Sequence, residues 1–335
     1  MSGPTRDSAS GAGTGSQRPA LLIHSEPSEV LTTLQGCGGL AWEVATSGPE
    51  ILEALERRPP EVVFSIKHSE FPGALHKPAL HSPGLRWLHV GGAGMEHMGL
   101  DADGTGGPPG VRVTNSAGVL APFLGERAMA ALLHMSTGMG GILAAQGMRQ
   151  WRPSRFQTLR GRTMLIVGAG HTGAALAGLA KAFGMRVLGI RASGEMRAGF
   201  DAMGPAGHLE EWLPSADVVS LHVRSTGATR HLMNADRLAM LPEGAIVLNS
   251  ARGAVLDEGA LLAALDRNVS AAWLDVFEVE PLPESNPLWR HPRVLVTPHC
   301  ADQVEDFPRR FAEHFVSLWG ANISGDHPTT HDPHG

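Results

Sequence analysis

A glycine-punctuated turn between a short apolar run and an alanine-rich stretch is the strongest constraint on this chain. The run Met164–Val167 has the composition of a buried parallel strand, and Gly168-Ala-Gly170-His-Thr-Gly173 follows it directly. In a dinucleotide-binding fold the first glycine makes the tight turn, the second lets the backbone approach a pyrophosphate, and the third lets the helix pack closely on the strand. An apolar helix pattern and a second strand candidate, Arg186–Ile190, come next, as this fold requires. The stretch predicts nucleotide binding, with a glycine-rich structural turn as the alternative.

Length, charge and composition exclude several classes of protein. The 335 residues are enough for two domains, and the absence of tyrosine excludes chemistry that needs a tyrosine base. A net charge of −6 argues against general nucleic-acid binding. The sequence contains no run of 18 or more apolar residues, so we expect no transmembrane helix. The two cysteines, Cys37 and Cys300, cannot form a disulfide framework or a cysteine zinc site, so we expect a cytoplasmic setting and no bound metal.

Strand and helix patterns alternate on both sides of the glycine turn. This alternation predicts an α/β protein, with a Rossmann-type doubly wound parallel sheet and a smaller, flavodoxin-like α/β unit before it. The predicted strands outside the turn region are Ala20–His24, Val62–Ile66, Leu85–Val90, Val111–Asn115, Ala216–Val223, Ala245–Asn249, Ala271–Leu274 and Val294–Thr297.

Four residues are predicted to cap helices by accepting a hydrogen bond from the first turn. They are Ser47, Ser116, Asn234 and Asp257. A final helix is predicted from Asp306, with a core-facing stripe of Phe307, Phe311, Phe315 and Leu318.

The domain boundaries follow from these elements and from composition. We expect residues 19–114 and 302–324 to form a discontinuous substrate domain, and residues 115–301 to form the dinucleotide-binding domain. The Ser/Gly/Thr-rich segment 1–18 and the His/Pro-rich segment 325–335 are predicted to be disordered.

The second strand after the turn indicates which dinucleotide is bound. NAD sites place an acidic residue about 20 positions past the motif, where it binds the ribose 2′-hydroxyl. Here that place holds Arg191, followed by Ser193, and these residues suit a 2′-phosphate. We therefore expect NADP(H), with NAD(H) as the alternative in which Arg191 is a solvated strand-end residue.

Three groups with complementary chemistry follow other strands of the predicted sheet: Arg252, Glu280 and His299. Reduction of a 2-oxo acid needs a cation for the carboxylate and the polarised ketone, and the arginine fork suits both. It also needs a proton donor that titrates near neutrality, which histidine provides. A carboxylate bonded to that imidazole favours its charged form and fixes the ring.

At this point the sequence resembles the D-isomer-specific 2-hydroxyacid dehydrogenase family, over roughly Leu85 to Trp319. The resemblance rests on several long motifs in the family's order. They are Leu248-Asn-Ser-Ala-Arg-Gly-Ala-Val-Leu-Asp-Glu258, Leu274-Asp-Val-Phe-Glu-Val-Glu-Pro-Leu-Pro283, Pro287-Leu-Trp289, Thr297-Pro-His299, Leu85-Arg-Trp-Leu-His-Val-Gly-Gly-Ala-Gly94 and Val113-Thr-Asn-Ser116.

The resemblance implies a role for each matching residue. Arg252 would be the substrate-binding catalytic arginine, His299 the acid/base and Glu280, rather than Glu278, its partner. Asp275 would bind the nicotinamide carboxamide. The other implied positions are His171 and Thr172, together with Ser250 and Ala251, for the cofactor, and Gly91 and Gly92 for the substrate carboxylate. By local sequence the glycines after Val90 fit a ligand-binding strand end and a plain turn equally well.

The family also implies a homodimer formed through the cofactor domain and a small substrate such as glyoxylate or hydroxypyruvate. Relatives that act on formate, phosphite or 3-phosphoglycerate are the alternatives among enzymes, and a dinucleotide-sensing co-repressor-like binding protein is the alternative from another class.

The sequence departs from the family's usual pattern at two places. Val223-Arg224-Ser225 replaces the proline that usually follows that strand, so Arg224 is either a further 2′-phosphate ligand or a solvated side chain. Cys300 follows His299, where a small or apolar residue is usual, and is either a packed or an oxidation-sensitive thiol.

Overall fold

The computed structural model describes residues 17–68, 71–100 and 106–323. These residues form two compact units. The first contains those up to Gly91, Met95–Asn115 and those from Phe311 onward, and the second contains Gly92–Gly94 and Ser116–Arg310. The segments predicted to be disordered lie outside the described residues, except that the first strand already begins at Arg18.

The first unit is built on a five-stranded, all-parallel sheet. The strands lie in the order β2-β1-β3-β4-β5, which is the flavodoxin-like order with its switch point between β1 and β3. Every residue of β3 is buried because helices cover both faces of a parallel sheet. The elements are β1 (Arg18–Ile23), α1 (Ser28–Leu34), β2 (Leu40–Ala45), α2 (Gly48–Arg57), β3 (Val62–Ile66), β4 (Trp87–Gly91) and β5 (Arg112–Asn115), with 3₁₀ helices at Gly73–His81 and Glu96–Met98.

The second unit is built on a seven-stranded parallel sheet. Its order, β12-β11-β10-β9-β6-β7-β8, is the doubly wound dinucleotide-binding order, with the switch point between β6 and β9. Both fold predictions are therefore confirmed. The elements are α3 (Ala121–Ser136), α4 (Met139–Gly147), β6 (Thr163–Val167), α5 (His171–Ala182), β7 (Arg186–Ile190), β8 (Ala202–Gly204), α6 (Leu209–Trp212), β9 (Val218–Leu221), α7 (Ala235–Ala239), β10 (Ala245–Asn249), α8 (Glu258–Leu265), β11 (Val269–Leu274) and β12 (Val294–Val296).

The last helix, α9 (Phe307–Ile323), supplies aromatic side chains to the first unit's core. Phe315 stacks on Phe64 and on Trp87, with ring centroids 5.0 Å apart in each pair. Trp319 also stacks with Trp87, with ring centroids 5.9 Å apart. The predicted stripe is therefore right at Phe311 and Phe315, whereas Phe307 and Leu318 are only half-buried and Trp319 completes the stripe.

Three of the four predicted caps, Ser47, Asn234 and Asp257, occupy N-cap positions, and the last two also make the capping bond. Asn234 accepts a hydrogen bond from the Arg237 N–H, and Asp257 accepts one from the Ala260 N–H. The Ser47 side chain makes no capping bond, and Glu50 instead accepts from the Thr46 N–H at 2.8 Å. Ser116 caps no helix because α3 begins only at Ala121.

In the described part of the chain, no single helix is both long and apolar enough to cross a membrane. Helices α3 and α4 meet the length and composition criterion only as a pair, which is bent by 67°.

Several histidines are buried as neutral side chains. His76 is fully buried, its Nδ1 lies 2.8 Å from the Ser65 hydroxyl, and burial lowers its pKa to about 4. Burial also lowers the pKa of His97 to about 4 and that of His89 well below its ordinary value. Because these pKa values are lowered in the folded state, the unfolded chain binds more protons than the folded chain once the pH falls below about 6.5.

We predict that the free energy of unfolding decreases as the pH falls below about 6.5. A histidine whose pKa drops from 6.5 to about 4 contributes about 2 kcal/mol to this loss at pH 5. Urea unfolding at pH 7.5 and pH 5 should therefore show a smaller acid-induced loss in His76→Asn than in the wild type. The control is His81→Asn, at an exposed position. Equal losses in His76→Asn and the wild type would contradict this assignment.

Candidate active site

The turn after β6 has the geometry that the glycine motif predicts. Gly168 adopts φ +99°, and the N–H groups of Gly168 and Ala169 both donate to the Ile190 carbonyl at 2.9 Å. A Cβ at Gly168 would lie 2.5 Å from the carbonyl carbon of His222, and one at Gly173 would lie 2.5 Å from the Gly168 oxygen. The backbone therefore passes too closely for a side chain at either position.

The N-terminus of α5 directly follows this turn. Gly170 is the N-cap residue, and His171 and Thr172 belong to the first turn of the helix. N–H groups in a first turn have no acceptor within their own helix, and together with the helix dipole they favour a negatively charged ligand. The glycine-lined backbone and the helix N-terminus thus fit the pyrophosphate of a dinucleotide.

The predicted 2′-phosphate ligands lie on both sides of this turn. Arg191 follows β7, and its carbonyl accepts from the Gly194 N–H at 3.0 Å in a tight turn that contains Ser193. Arg224 is exposed in the loop after β9, where its carbonyl accepts from the Thr229 hydroxyl at 2.6 Å. Since β7 and β9 both pair with β6, the two arginines follow the two strands next to the glycine turn.

The three predicted catalytic residues follow three adjacent strands. In the parallel register Asn249 of β10 pairs with Leu274 of β11, which pairs with Val296 of β12. Arg252, Glu280 and His299 come after these strands, in that order. They therefore belong to the carboxyl edge of one sheet, where α/β proteins place their sites.

The turn that carries Arg252 is fixed by a buried side chain and by a glycine. The Asn249 side chain accepts from the Ala251 N–H at 3.1 Å and donates to the Arg252 carbonyl at 3.2 Å, so it holds the Ser250–Ala251 segment in place. A Cβ at Gly253 would lie 1.9 Å from the carbonyl carbon of Phe277. The segment that follows Arg252 thus lies directly against the segment that leads to Glu280.

His299 and Glu280 form a direct pair. The His299 Nδ1 lies 2.7 Å from Glu280 Oε2, and the other oxygen of Glu280 accepts from the Phe277 N–H at 2.9 Å. Both side chains are about one third exposed. His299 adopts φ +47°, an uncommon conformation for a residue other than glycine. Glu278 instead lies 3.0 Å from His231 and 3.8 Å from Arg230, so Glu280 is the carboxylate that pairs with His299.

Asp275, predicted as a carboxamide ligand, is 1% exposed and organises the segment that contains His299. Its carboxylate accepts from the Thr297 hydroxyl and from the N–H groups of Cys300 and Ala301, the latter two at 3.1 and 3.0 Å. A carboxylate can accept about four hydrogen bonds, so a carboxamide donor is compatible with this arrangement. The sequence did not predict that Asp275 also holds the segment after β12 in place.

Cys300 and His222 each make a contact that the sequence did not predict. The Cys300 sulfur accepts from the Arg127 guanidinium at 3.3 Å. The His222 N–H donates to the Val167 carbonyl at 2.7 Å, its Nε2 lies 2.8 Å from the Ser220 hydroxyl, and burial lowers its pKa to about 4. His222 therefore packs beside Gly168 as a neutral side chain; its place at the end of a predicted strand next to the glycine turn was the only sequence signal.

The two predicted substrate-binding glycines end β4 and begin the following turn. A Cβ at Gly91 would lie 2.9 Å from both Ile66 and Phe311, and Gly92 adopts φ +110°. The Gly92 carbonyl accepts from the Ser116 N–H at 3.0 Å. Both positions thus require glycine for reasons of packing or backbone conformation.

Comparison with known proteins agrees with this geometry. Residues 129–301 match the family model of the D-isomer specific 2-hydroxyacid dehydrogenase NAD binding domain. A glyoxylate reductase of Korarchaeum cryptofilum is 36% identical over 217 residues, which are 61% of this chain and 64% of the relative; the match thus spans less than two thirds of that protein.

Solved structures extend the similarity to nearly the whole chain. A D-isomer specific 2-hydroxyacid dehydrogenase family protein from Aeromonas salmonicida is 31% identical with a TM-score of 0.82, and the match covers 94% of this chain and 98% of that one. A D-isomer specific 2-hydroxyacid dehydrogenase from Xanthobacter autotrophicus, solved in complex with NADPH and MES, is 27% identical with a TM-score of 0.77 and the same coverage.

The fold and the strand-end residues thus define a dinucleotide-binding α/β protein of the dehydrogenase type. The chain belongs to the D-isomer specific 2-hydroxyacid dehydrogenase family, and the resemblance inferred from its motifs is confirmed.

Proposed function

We propose that this protein is an oxidoreductase that transfers a hydride between NAD(P)H and a small 2-oxo acid of the glyoxylate or hydroxypyruvate type. The observation that carries the proposal is the His299–Glu280 pair, 2.7 Å apart, at the carboxyl edge of a dinucleotide-binding sheet that also carries Arg252. The relative named glyoxylate reductase supports this substrate class.

Each side chain of the trio has a distinct part in the proposed reaction. A bound nicotinamide supplies the hydride. The Arg252 guanidinium binds the substrate carboxylate and polarises the ketone oxygen. Because a carboxylate only accepts hydrogen bonds, Nδ1 of His299 carries the hydrogen towards Glu280, and Nε2 delivers a proton to the ketone oxygen. His299 changes from imidazolium to imidazole as the hydroxyl forms, and the reverse reaction returns the proton.

The remaining binding roles are proposed for backbone groups and for Asp275. We assign the substrate carboxylate to the backbone N–H groups of Gly91 and Gly92 as well as to Arg252, and the nicotinamide carboxamide to Asp275. The first unit would thus serve as the substrate domain and the second as the cofactor domain. The residues proposed to hold the dinucleotide are Gly168, Gly170, His171, Thr172, Gly173, Ser250 and Ala251.

We propose NADP(H) rather than NAD(H) as the preferred cofactor. Arg191 and Ser193 occupy the position where NAD-specific sites carry an acidic residue, and Arg224 follows the strand on the other side of the glycine turn. The Xanthobacter autotrophicus structure, which contains NADPH, supports this choice.

We further propose that the protein is a homodimer and is cytoplasmic. Helix α4 and the segment after it expose a series of large apolar side chains, and such a series is typical of an interface. These side chains are Met139, Ile142, Leu143, Met148, Trp151 and Phe156, and Trp151 is 98% exposed. A second copy of this chain would cover them in a two-fold arrangement, where the same surface serves both partners. The free thiols of Cys37 and Cys300 suit a reducing compartment.

Two groups of alternatives receive less support. Formate and phosphite offer no ketone for the His299–Glu280 pair to protonate, and 3-phosphoglycerate is not the substrate class named by the relative described above. A co-repressor-like binding protein predicts cofactor-dependent capture of a peptide partner and no turnover with any oxo acid.

Replacing His299 tests the acid/base assignment. We expect His299→Gln to lower kcat for oxo-acid reduction by about 10²–10⁴-fold, because the proton donor is lost. Binding of NADPH, measured by fluorescence titration, should stay within about threefold of the wild type. The matched control is His291→Gln, a histidine that precedes β12 rather than following it. Turnover retained in His299→Gln would contradict the assignment.

Replacing Arg191 tests the cofactor preference. We expect Arg191→Gln to raise KM for NADPH by about 10–100-fold, the equivalent of one or two charge-assisted hydrogen bonds, and to leave KM for NADH nearly unchanged. Arg186→Gln, at the opposite end of the same strand β7, is the control and should change neither value. A parallel rise in both KM values would show that Arg191 does not recognise a 2′-phosphate.

The mass in solution tests the assembly. Light scattering should give twice the mass of one chain for the wild type and for Leu52→Ser, at an exposed apolar position in the first unit. The double variant Leu143→Asp, Trp151→Ala should shift the equilibrium towards the single chain because it places a charge and a gap in the apolar surface. A single-chain mass for the wild type would refute the dimer.

A further inference from the structure

The loop that carries Glu280 has little packing of its own. Between β11 and the 3₁₀ helix Pro287–Arg290, most residues from Glu278 to Ser285 are exposed. Exposed loops with few buried contacts open easily, and a proton-transfer pair tolerates little displacement. Something must therefore fix this loop for Glu280 to orient His299.

The side chain of Glu258 contacts both ends of the loop. Its Oε1 accepts from the Glu278 N–H at 2.7 Å, and its Oε2 accepts from the Asn286 side-chain amide at 3.4 Å. Asn286 in turn accepts from the N–H of Leu288, which is fully buried. The Glu258 carboxylate thus joins the two ends of the loop, and the end at Asn286 is bonded to the buried Leu288.

Glu258 lies at the start of a capped helix and near Arg252 along the chain. It is the first residue of α8, whose N-cap Asp257 bonds to the Ala260 N–H at 2.9 Å. A carboxylate in the first turn of a helix is stabilised by the helix dipole. Only six positions separate it from Arg252, and the turn between them packs its Gly253 against Phe277.

A second contact supports the same end of the loop. The Glu278 carboxylate lies 3.0 Å from His231 Nε2, and the His231 N–H donates to the Ala254 carbonyl at 2.7 Å. The backbone and the side chain of Glu278 are therefore both attached to the segment 254–258. The loop that bears Glu280 is joined to the segment that bears Arg252.

We propose that Glu258 is a positioning residue for the reaction: by binding the Glu278 N–H and Asn286 it fixes the loop that sets Glu280 against His299. The inference rests on the proposed roles of Glu280 and His299. Glu258 acts through Glu280 and touches no reacting atom.

The kinetic test compares Glu258→Ala with Glu258→Gln, which keeps one acceptor oxygen, and with Glu284→Gln, an exposed acid in the same loop. We expect kcat for oxo-acid reduction to fall about 10–100-fold in Glu258→Ala, to recover mostly in Glu258→Gln and to stay unchanged in Glu284→Gln. KM for NADPH should remain within about twofold. The pH profile of kcat/KM in Glu258→Ala should move in the same direction as that of Glu280→Gln.

A double-mutant cycle separates positioning from general weakening of the fold. If Glu258 acts through Glu280, the double variant Glu258→Ala, Glu280→Gln will be no slower than Glu280→Gln. Additive losses, or an unchanged pH profile in Glu258→Ala, would overturn the proposal.

Amide hydrogen exchange supplies a readout that does not depend on turnover. The peptide that contains Glu278 should exchange faster in Glu258→Ala than in the wild type or Glu284→Gln, whereas peptides from β10 and β11 should not change. Unchanged exchange at Glu278 would overturn the proposal. If the wild type reduces no oxo acid, the proposed function fails, but exchange still decides whether Glu258 fixes the loop.

Discussion

A single buried carboxylate holds the candidate site together. Asp275, at the end of β11, accepts from Thr297, Cys300 and Ala301, so it determines the course of the chain after β12. Its own backbone N–H donates to Asn249 of β10, and its carbonyl accepts from the His299 N–H at 2.8 Å. These bonds offset the cost of the left-handed conformation of His299, about 1–2 kcal/mol for a residue with a Cβ.

Close backbone approach is the second constraint, and glycines make it possible. A Cβ at Gly168 or Gly173 would lie 2.5 Å from the backbone of His222 or of Gly168, respectively. Gly253 likewise lets the Arg252 segment lie directly against Phe277. At Gly168 the turn thus meets the segment that follows β9, and at Gly253 the Arg252 segment meets the one that leads to Glu280. The sheet supplies the common edge, while the glycines and buried polar side chains decide how close the groups come.

The structure confirms the predicted elements where local sequence alone determines the conformation. The glycine turn, the strands of apolar residues and the caps Asn234 and Asp257 were all predicted, because each depends on its immediate neighbours. The edge strands β2 and β8 and the helices α1, α4 and α6 were missed. In β2 four of the six residues are only partly buried, which weakens the apolar pattern, and β8 has only three residues.

The residues of the trio were proposed from their chemistry and their order along the chain, but the contacts that hold their segments in place were not predicted. The bonds of Asp275, the closure of the Glu278–Asn286 loop by Glu258 and the contact of Arg127 with Cys300 join positions 20 to 173 residues apart. Only the packed fold brings such pairs together. For the same reason Ser116 was wrong as a cap: local sequence favoured a helix start that tertiary structure places at Ala121.

The proposed activity is tested most directly by measuring the oxidation of NADPH and NADH by the purified wild-type protein with glyoxylate, hydroxypyruvate, pyruvate and phenylpyruvate. Loss of the dihydronicotinamide absorbance is the signal. We predict turnover with at least one of the small 2-oxo acids, faster with NADPH than with NADH at equal concentration. No turnover with any of the four acids and either cofactor would contradict the central claim, that Arg252, Glu280 and His299 reduce a 2-oxo acid.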